Sequence, residues 1–372
     1  MSRSSRAWPP ALPAACAALA MVAGACKSQI EYGDFDPGTG VATDAGPWVN
    51  ATANLAGLDS ECGNMSSVTI HPGKDAVIAG IARRGLWVSA DGAATFTPIG
   101  TGAGSDTILN RPSALIFDPD HAGTYWESGL YNGAAVYRTS DDGATFKQLG
   151  DINSCDLVSI DFADPLRQTL LAGGHEAKIL FRSSDGGASW TDIAPKLPAG
   201  VGNTSFPHVV DAQTFLIGTY SGSSPGLYRS ADGGQTWTLV SPTPISSKPV
   251  VASDGAIYWV LDGSRGIVRS TDKGATWTTV IGPGLVAATA AGVIELPDKR
   301  LVVPAAASLL ISKDRGATWQ RLGPTLPYTP AGVVYSPFRK AFYAWRFECV
   351  GGSANPVPAD AIMRLDFDYQ AQ

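Results

Sequence analysis

Charge is scarce in this chain. Asp, Glu, Lys and Arg make up 16% of its 372 residues, and the formal net charge is −6. A surface so lightly and negatively charged does not attract the phosphate backbone of a nucleic acid. Beyond the N-terminus no stretch is long and apolar enough to form a helix across a bilayer. Cysteine is also sparse: beyond residue 26 only Cys62, Cys155 and Cys349 remain. No H-E-x-x-H, Gly-x-Ser-x-Gly, P-loop or dinucleotide fingerprint occurs, so those chemistries have no anchor here. What the chain has in quantity is Gly (42), Pro (26) and 44% hydrophobic residues. That mixture suits many short strands joined by tight turns.

The first 25 residues have the pattern of an export signal. Arg3 and Arg6 precede an apolar run from Ala11 to Val22, and Ala23-Gly24-Ala25 supplies small residues before Cys26. The site resembles a lipobox with Cys26 as the lipidated residue, although Ala23 stands where lipoproteins usually carry a large apolar residue. Ordinary signal peptidase is the alternative. The expected organisation is a signal over 1–25, a lipoprotein-like tether over 26–46 and one folded domain over 47–372. An extracytoplasmic location follows, in a bacterial cell envelope or secreted. An oxidising compartment would permit a disulfide.

Six short stretches are near copies of one another: SADGAATF at 89, TSDDGATF at 139, SSDGGASW at 183, SADGGQTW at 230, STDKGATW at 270 and SKDRGATW at 312. Ser or Thr leads, Asp is third, Gly is usually fifth, and Trp or Phe is eighth. A short Asp or Ser side chain bonds nearby backbone N–H groups in a tight turn, and Gly tolerates positive φ where the chain reverses. The aromatic is expected to open the next strand. Apolar strand-like runs flank each copy, and two more lie between copies. The third-position residues Asp91, Asp141, Asp185, Asp232, Asp272 and Asp314 recur every ~40–50 residues, the period of a four-stranded propeller blade.

On these residues the sequence resembles the Asp-box (BNR) repeat β-propellers: sialidases, xyloglucanases, sortilin-type receptors and photosystem II assembly factors. The copy at 89 departs, with Ala93 in place of the fifth-position Gly. The resemblance implies an all-β propeller with the boxes between third and fourth strands, on the face opposite an active site. The boxes are then frame and not function. AGVVYSP, KAFYAWRF and AIMRLDFDY supply three strands of a seventh blade, and GPWVNAT near the N-terminus is expected to supply its fourth. Six blades with a C-terminal extension is the alternative.

That map puts Glu61, Arg83, Arg84, Asp106, Arg111, Asp156, His175, Glu176, Tyr220, Asp262, Arg265 and Glu348 on the loop face, with His208 looking into the channel. Asp156 and Glu176 come from one blade and are candidates for a hydrolytic carboxylate pair. With His175, His208 and Arg111 they complete the candidate catalytic set, without a compact metal-ligand motif; no metal or cofactor is expected. Tyr131, Tyr220, Arg265 and Glu348 are candidate ligand contacts. Trp126, Tyr131, Tyr220, Tyr258, Trp259, Tyr328 and Phe347 would stack on sugars or anchor a peptide if exposed, and pack blades together if not. Sialidases carry an early Arg-Ile-Pro segment that NRPSAL at 110 matches poorly, xyloglucanases use two propellers, and no arginine stripe supports a photosystem partner. The expected role is binding of a glycan or an extracytoplasmic protein by a monomer. A glycoside hydrolase or polysaccharide lyase using the same face is the alternative. Cys62 and Cys349 map to neighbouring first and last blades on the loop face and are expected to be joined, with Cys155 free.

Overall fold

A computed structural model describes residues 46–61, 64–100, 107–245, 247–284, 292–349 and 354–371. The chain forms seven four-stranded antiparallel sheets, each built from strands consecutive in sequence, with one exception. Blades 1 to 6 span 65–98, 111–148, 155–192, 206–241, 250–281 and 294–322. Blade 7 takes Gly332–Ser336, Ala341–Trp345 and Ile362–Asp366, and its fourth strand is Val49–Asn50 from the other end of the domain. Val49 pairs with Arg364 and Asn50 with Met363. Thr52, fully buried, reinforces the closure: the Ile362 N–H donates to its Oγ1 at 2.9 Å. The ring therefore has seven blades, and the N-terminal segment closes it.

The core is divided among the blade seams. Each of seven apolar clusters joins two neighbouring blades. Ile78 and Leu86 meet Leu115 and Tyr125 between blades 1 and 2, and Met65 and Val77 meet Tyr343 and Ile362 between blades 1 and 7. Covering both faces of every sheet explains why second strands such as Val77–Ile81 and Phe215–Thr219 are buried throughout rather than alternating.

The boxes close the outer turns in one repeated pattern. In blade 4, the Ser230 hydroxyl donates to Asp232 Oδ1 (2.8 Å) and accepts from the Gly234 N–H (2.8 Å). Thr236 donates its N–H to Oδ1 (2.9 Å) and its hydroxyl to Oδ2 (2.6 Å). The hydroxyl of the seventh residue, with the other donors, holds the carboxyls of Asp185, Asp232, Asp272 and Asp314 down to about 2. Even the departing copy keeps this network: Ala93 takes φ 71° and donates its N–H to the Ser89 hydroxyl at 2.8 Å. One expectation is corrected. The aromatic does not open the fourth strand, which begins one residue later, at Thr191 after Trp190 and at Thr238 after Trp237. The ring instead turns into the seam with the preceding blade, where Trp190 donates Nε1–H to the Leu149 carbonyl at 3.0 Å.

Candidate functional site

The first strands of the blades surround a central cavity of about 890 Å³. Its walls are mostly β-branched and apolar, including Val68, Ile116, Val158, Val209 and Val333. Some of its polar groups lie where the first strands begin, at the face opposite the boxes, while Lys273 of a box lines it at the other face. Arg111 and Asp156 sit at or next to the start of the first strands of blades 2 and 3, and Lys248 lies just before that of blade 5.

A hydrogen-bonded constellation spans blades 2 and 3. Tyr131 follows the second strand of blade 2, and His175 follows the second strand of blade 3. The Tyr131 hydroxyl lies 2.8 Å from His175 Nε2. His175 Nδ1 lies 2.9 and 3.0 Å from the two Asp156 carboxylate oxygens. An ionised carboxylate only accepts, so Nδ1 carries a proton, and in the neutral imidazole Nε2 accepts from the phenol. The imidazole meets the Tyr131 ring edge-on at 5.2 Å, and the Arg111 guanidinium lies over that ring, 5.0 Å from its centroid. Tyr131 is 47% exposed, so this assembly faces solvent.

Arg111 is distinguished by what it does not face. The other loop-face arginines are spent on carboxylates: Arg83 on Glu61 (3.7 Å), Arg84 on Asp59 (3.0 Å), Arg265 on Asp262 (3.6 Å) and Arg346 on Glu348 and Asp360. Arg111 has no carboxylate partner among the described residues. A second cation enters from across the ring: Lys248 donates to the carbonyl of Ser113, two residues along the same strand as Arg111. Burial pushes the Lys248 amine down to about 8, against the pull of Asp156.

The remaining candidates separate. His208 lines the channel on the first strand of blade 4, where burial pushes it down to about 4 and keeps it neutral. Tyr220 is half-buried with its ring 6.4 Å from Phe206. Arg265 and Glu348 are occupied by ion pairs on other blades. Asp156 and Glu176 do not form a facing carboxylate pair: they flank one imidazole, Asp156 at Nδ1 and Glu176 3.8 Å from Nε2. Among the described residues the one carboxyl pushed up, Glu127 at about 8, owes this to complete burial in blade 2. No group of three His, Cys, Asp or Glu among the described residues is arranged to hold a metal. Trp126, Tyr258 and Trp259 are buried between blades, while Phe347 is exposed at the channel mouth. Asp106, Cys26 and Cys62 lie outside the described residues. Lys248 and Ser113 escaped the sequence reading because SSKPV carries no motif; its one signal is a lone Lys directly before an apolar strand.

With this geometry in hand, comparison defines the class. The BNR/Asp-box repeat model matches residues 228–239, one of the six boxes, on a seven-bladed β-propeller. No curated protein matches the sequence. Among solved structures, the Niastella koreensis GH74 enzyme superposes with a TM-score of 0.58 at 16% identity, over 85% of this chain and 53% of the enzyme. YCF48 bound to D1 peptide gives 0.53 at 14% identity, over 88% of this chain and 99% of that one. The extracellular domain of the two-component system BT3049 from B. thetaiotaomicron gives 0.56 at 11%, over 82% of this chain and 40% of that one. The chain thus spans about half the length of the GH74 enzyme, and at these identities the likeness is one of fold.

Proposed function

We propose that this chain is an exported propeller, anchored through a lipid on Cys26, that binds a glycan at the loop-face mouth of its channel. The observation that carries the reading is the half-exposed Tyr131 ring, fixed between Arg111 and His175 beside Asp156. A rigid aromatic face ringed by oriented polar groups suits a sugar, whose ring stacks while its hydroxyls bond. Phe347 adds a second exposed ring at the same mouth. Structural neighbours that include a GH74 enzyme and an extracellular domain are compatible with this. The export half rests on residues 1–26, and no helix among the described residues is long and apolar enough to cross a membrane.

Affinity electrophoresis against neutral and acidic polysaccharides tests the binding half. Retardation should occur, and Tyr131→Ala should weaken it at least about tenfold, roughly 1.4 kcal/mol. Retardation by no glycan, with capture of an extracytoplasmic protein instead, would transfer the site to a protein partner. Intact mass of the mature chain tests the anchor: an unmodified Cys26 removes the lipid and leaves export standing.

A further inference from the structure

We infer that the mouth of blades 2 and 3 is a lyase site that cleaves uronate-containing glycans by β-elimination; this rests on the glycan-binding reading and goes beyond it. Three requirements of that chemistry meet here. The first is a cation for the carboxylate, since charge built up on its α-carbon is delocalised into it. Among the described residues, Arg111 is the loop-face arginine not already paired with an acid. Lys248 holds a second positive charge against the same strand. The second is a hydroxyl with a base in contact, and Tyr131 donates to His175 Nε2 at 2.8 Å. The third is a group that orients and stabilises that base, and Asp156 bonds Nδ1 at 2.9 Å. A hydroxyl, an imidazole and a carboxylate in this order form a proton relay. The phenol is half-exposed and lies beside the cation, where a bound uronate would present its acidic carbon.

The step balances without a cofactor. The Tyr131 proton passes to Nε2, and the imidazolium is held by Asp156. The phenolate takes the proton from the carbon bearing the carboxylate. The bond from the adjacent carbon to the glycosidic oxygen breaks, a double bond forms between the two carbons, and the oxygen takes the proton from His175. Tyr131 and His175 end as they began. Nothing is oxidised or reduced, and no water is consumed. Tyr131 and His175 are the catalytic residues; Asp156 is a positioning residue.

The test incubates the full chain with polygalacturonate, alginate and a glucuronate-containing glycosaminoglycan, with xyloglucan as neutral control. Ultraviolet absorbance of the conjugated unsaturated uronate is followed alongside binding. At least one uronate polymer should yield the chromophore, and xyloglucan none. Tyr131→Phe keeps the ring and its backbone and should cut the rate roughly 10²–10⁴-fold with binding retained. Arg111→Met should lower uronate affinity at least about tenfold and lower any neutral-glycan affinity less than that. Asp156→Asn should shift the pH profile of the rate as well as lower it, which a purely structural role would not do. Uronate bound without chromophore, or new reducing ends without it, overturns the lyase while glycan binding stands. Binding of no glycan overturns both.

Discussion

At the scale of single residues, Glu127 is the group most at odds with its surroundings. It is fully buried on the second strand of blade 2, where Asn110 Nδ2 donates to its Oε2 at 3.2 Å. Among the described residues, its Oε1 and the Asn110 Oδ1 both lack partners. Burial pushes the carboxyl up from 4.5 to about 8. Near neutrality the folded state therefore holds a proton that the unfolded chain releases. Stability falls as pH rises from about 4.5 to about 8, then levels off. Glu127→Gln supplies a neutral amide of the same shape. It should remove most of that slope and raise stability at neutral pH by on the order of a few kcal/mol. Urea melts of both proteins at pH 5 and pH 8 check this. An unchanged difference between the two pH values would mean that Glu127 is ionised in the fold. Nothing in YWESGL marked the residue, since a Glu in a strand ordinarily faces water.

At the scale of the element, the Asp box joins a turn to a seam. Asp232 orders the turn through four donors, and Trp237 packs into the cluster shared by blades 3 and 4. Trp237→Ala should cost about 1–4 kcal/mol, because the ring is only partly buried. Asp232→Ala should lower the melting temperature at neutral pH and much less in acid. Its folded carboxyl sits near 2 against 3.8 unfolded, so its contribution is complete above about pH 4 and vanishes as pH falls through about 2. Neither change should alter glycan retardation per folded molecule. Loss of binding with full stability would make the box a working part. The box was plain in the sequence because its donors lie within seven residues of one another. Half of its backbone logic was hidden. The fourth position is also left-handed, at φ 57° in Lys273 and 59° in Arg315, where no glycine announces it. The Tyr131–His175 contact joins residues 44 apart on two blades. Sequence could put both on one face but could not bring the phenol to the imidazole.

At the scale of the whole molecule, the ring is held where its two ends meet. Its closing strand was legible because GPWVN resembles the strands that follow the boxes, and Val49–Asn50 takes that place. The seam between blades 1 and 7 carries more than strand pairing. Arg339 pairs with Asp75 at 2.6 Å, and the Tyr343 hydroxyl donates to the Gly92 carbonyl at 3.2 Å. On the loop face, Asn64 Nδ2 donates to the Glu348 carbonyl at 3.3 Å, and the Val357 N–H donates to the Leu58 carbonyl at 3.0 Å. Asn64 is two residues after Cys62, and Glu348 is directly before Cys349. A disulfide between Cys62 and Cys349 needs Cα atoms within about 7 Å of each other. Cys155 is buried in blade 3, a free thiol that burial makes harder to ionise. A Cys62–Cys349 bond would close a loop over nearly the whole domain, and the chain-entropy model assigns about 5 kcal/mol to a loop of that size. Peptide mapping of protein made in an oxidising compartment should find these two joined and Cys155 unmodified, and reductant should lower the melting temperature. Two free thiols at 62 and 349 would leave closure to the strand and its ion pair. A bond from Cys155 to either would require blade 3 to open, which the packing of Cys155 with Trp126 and Val158 opposes.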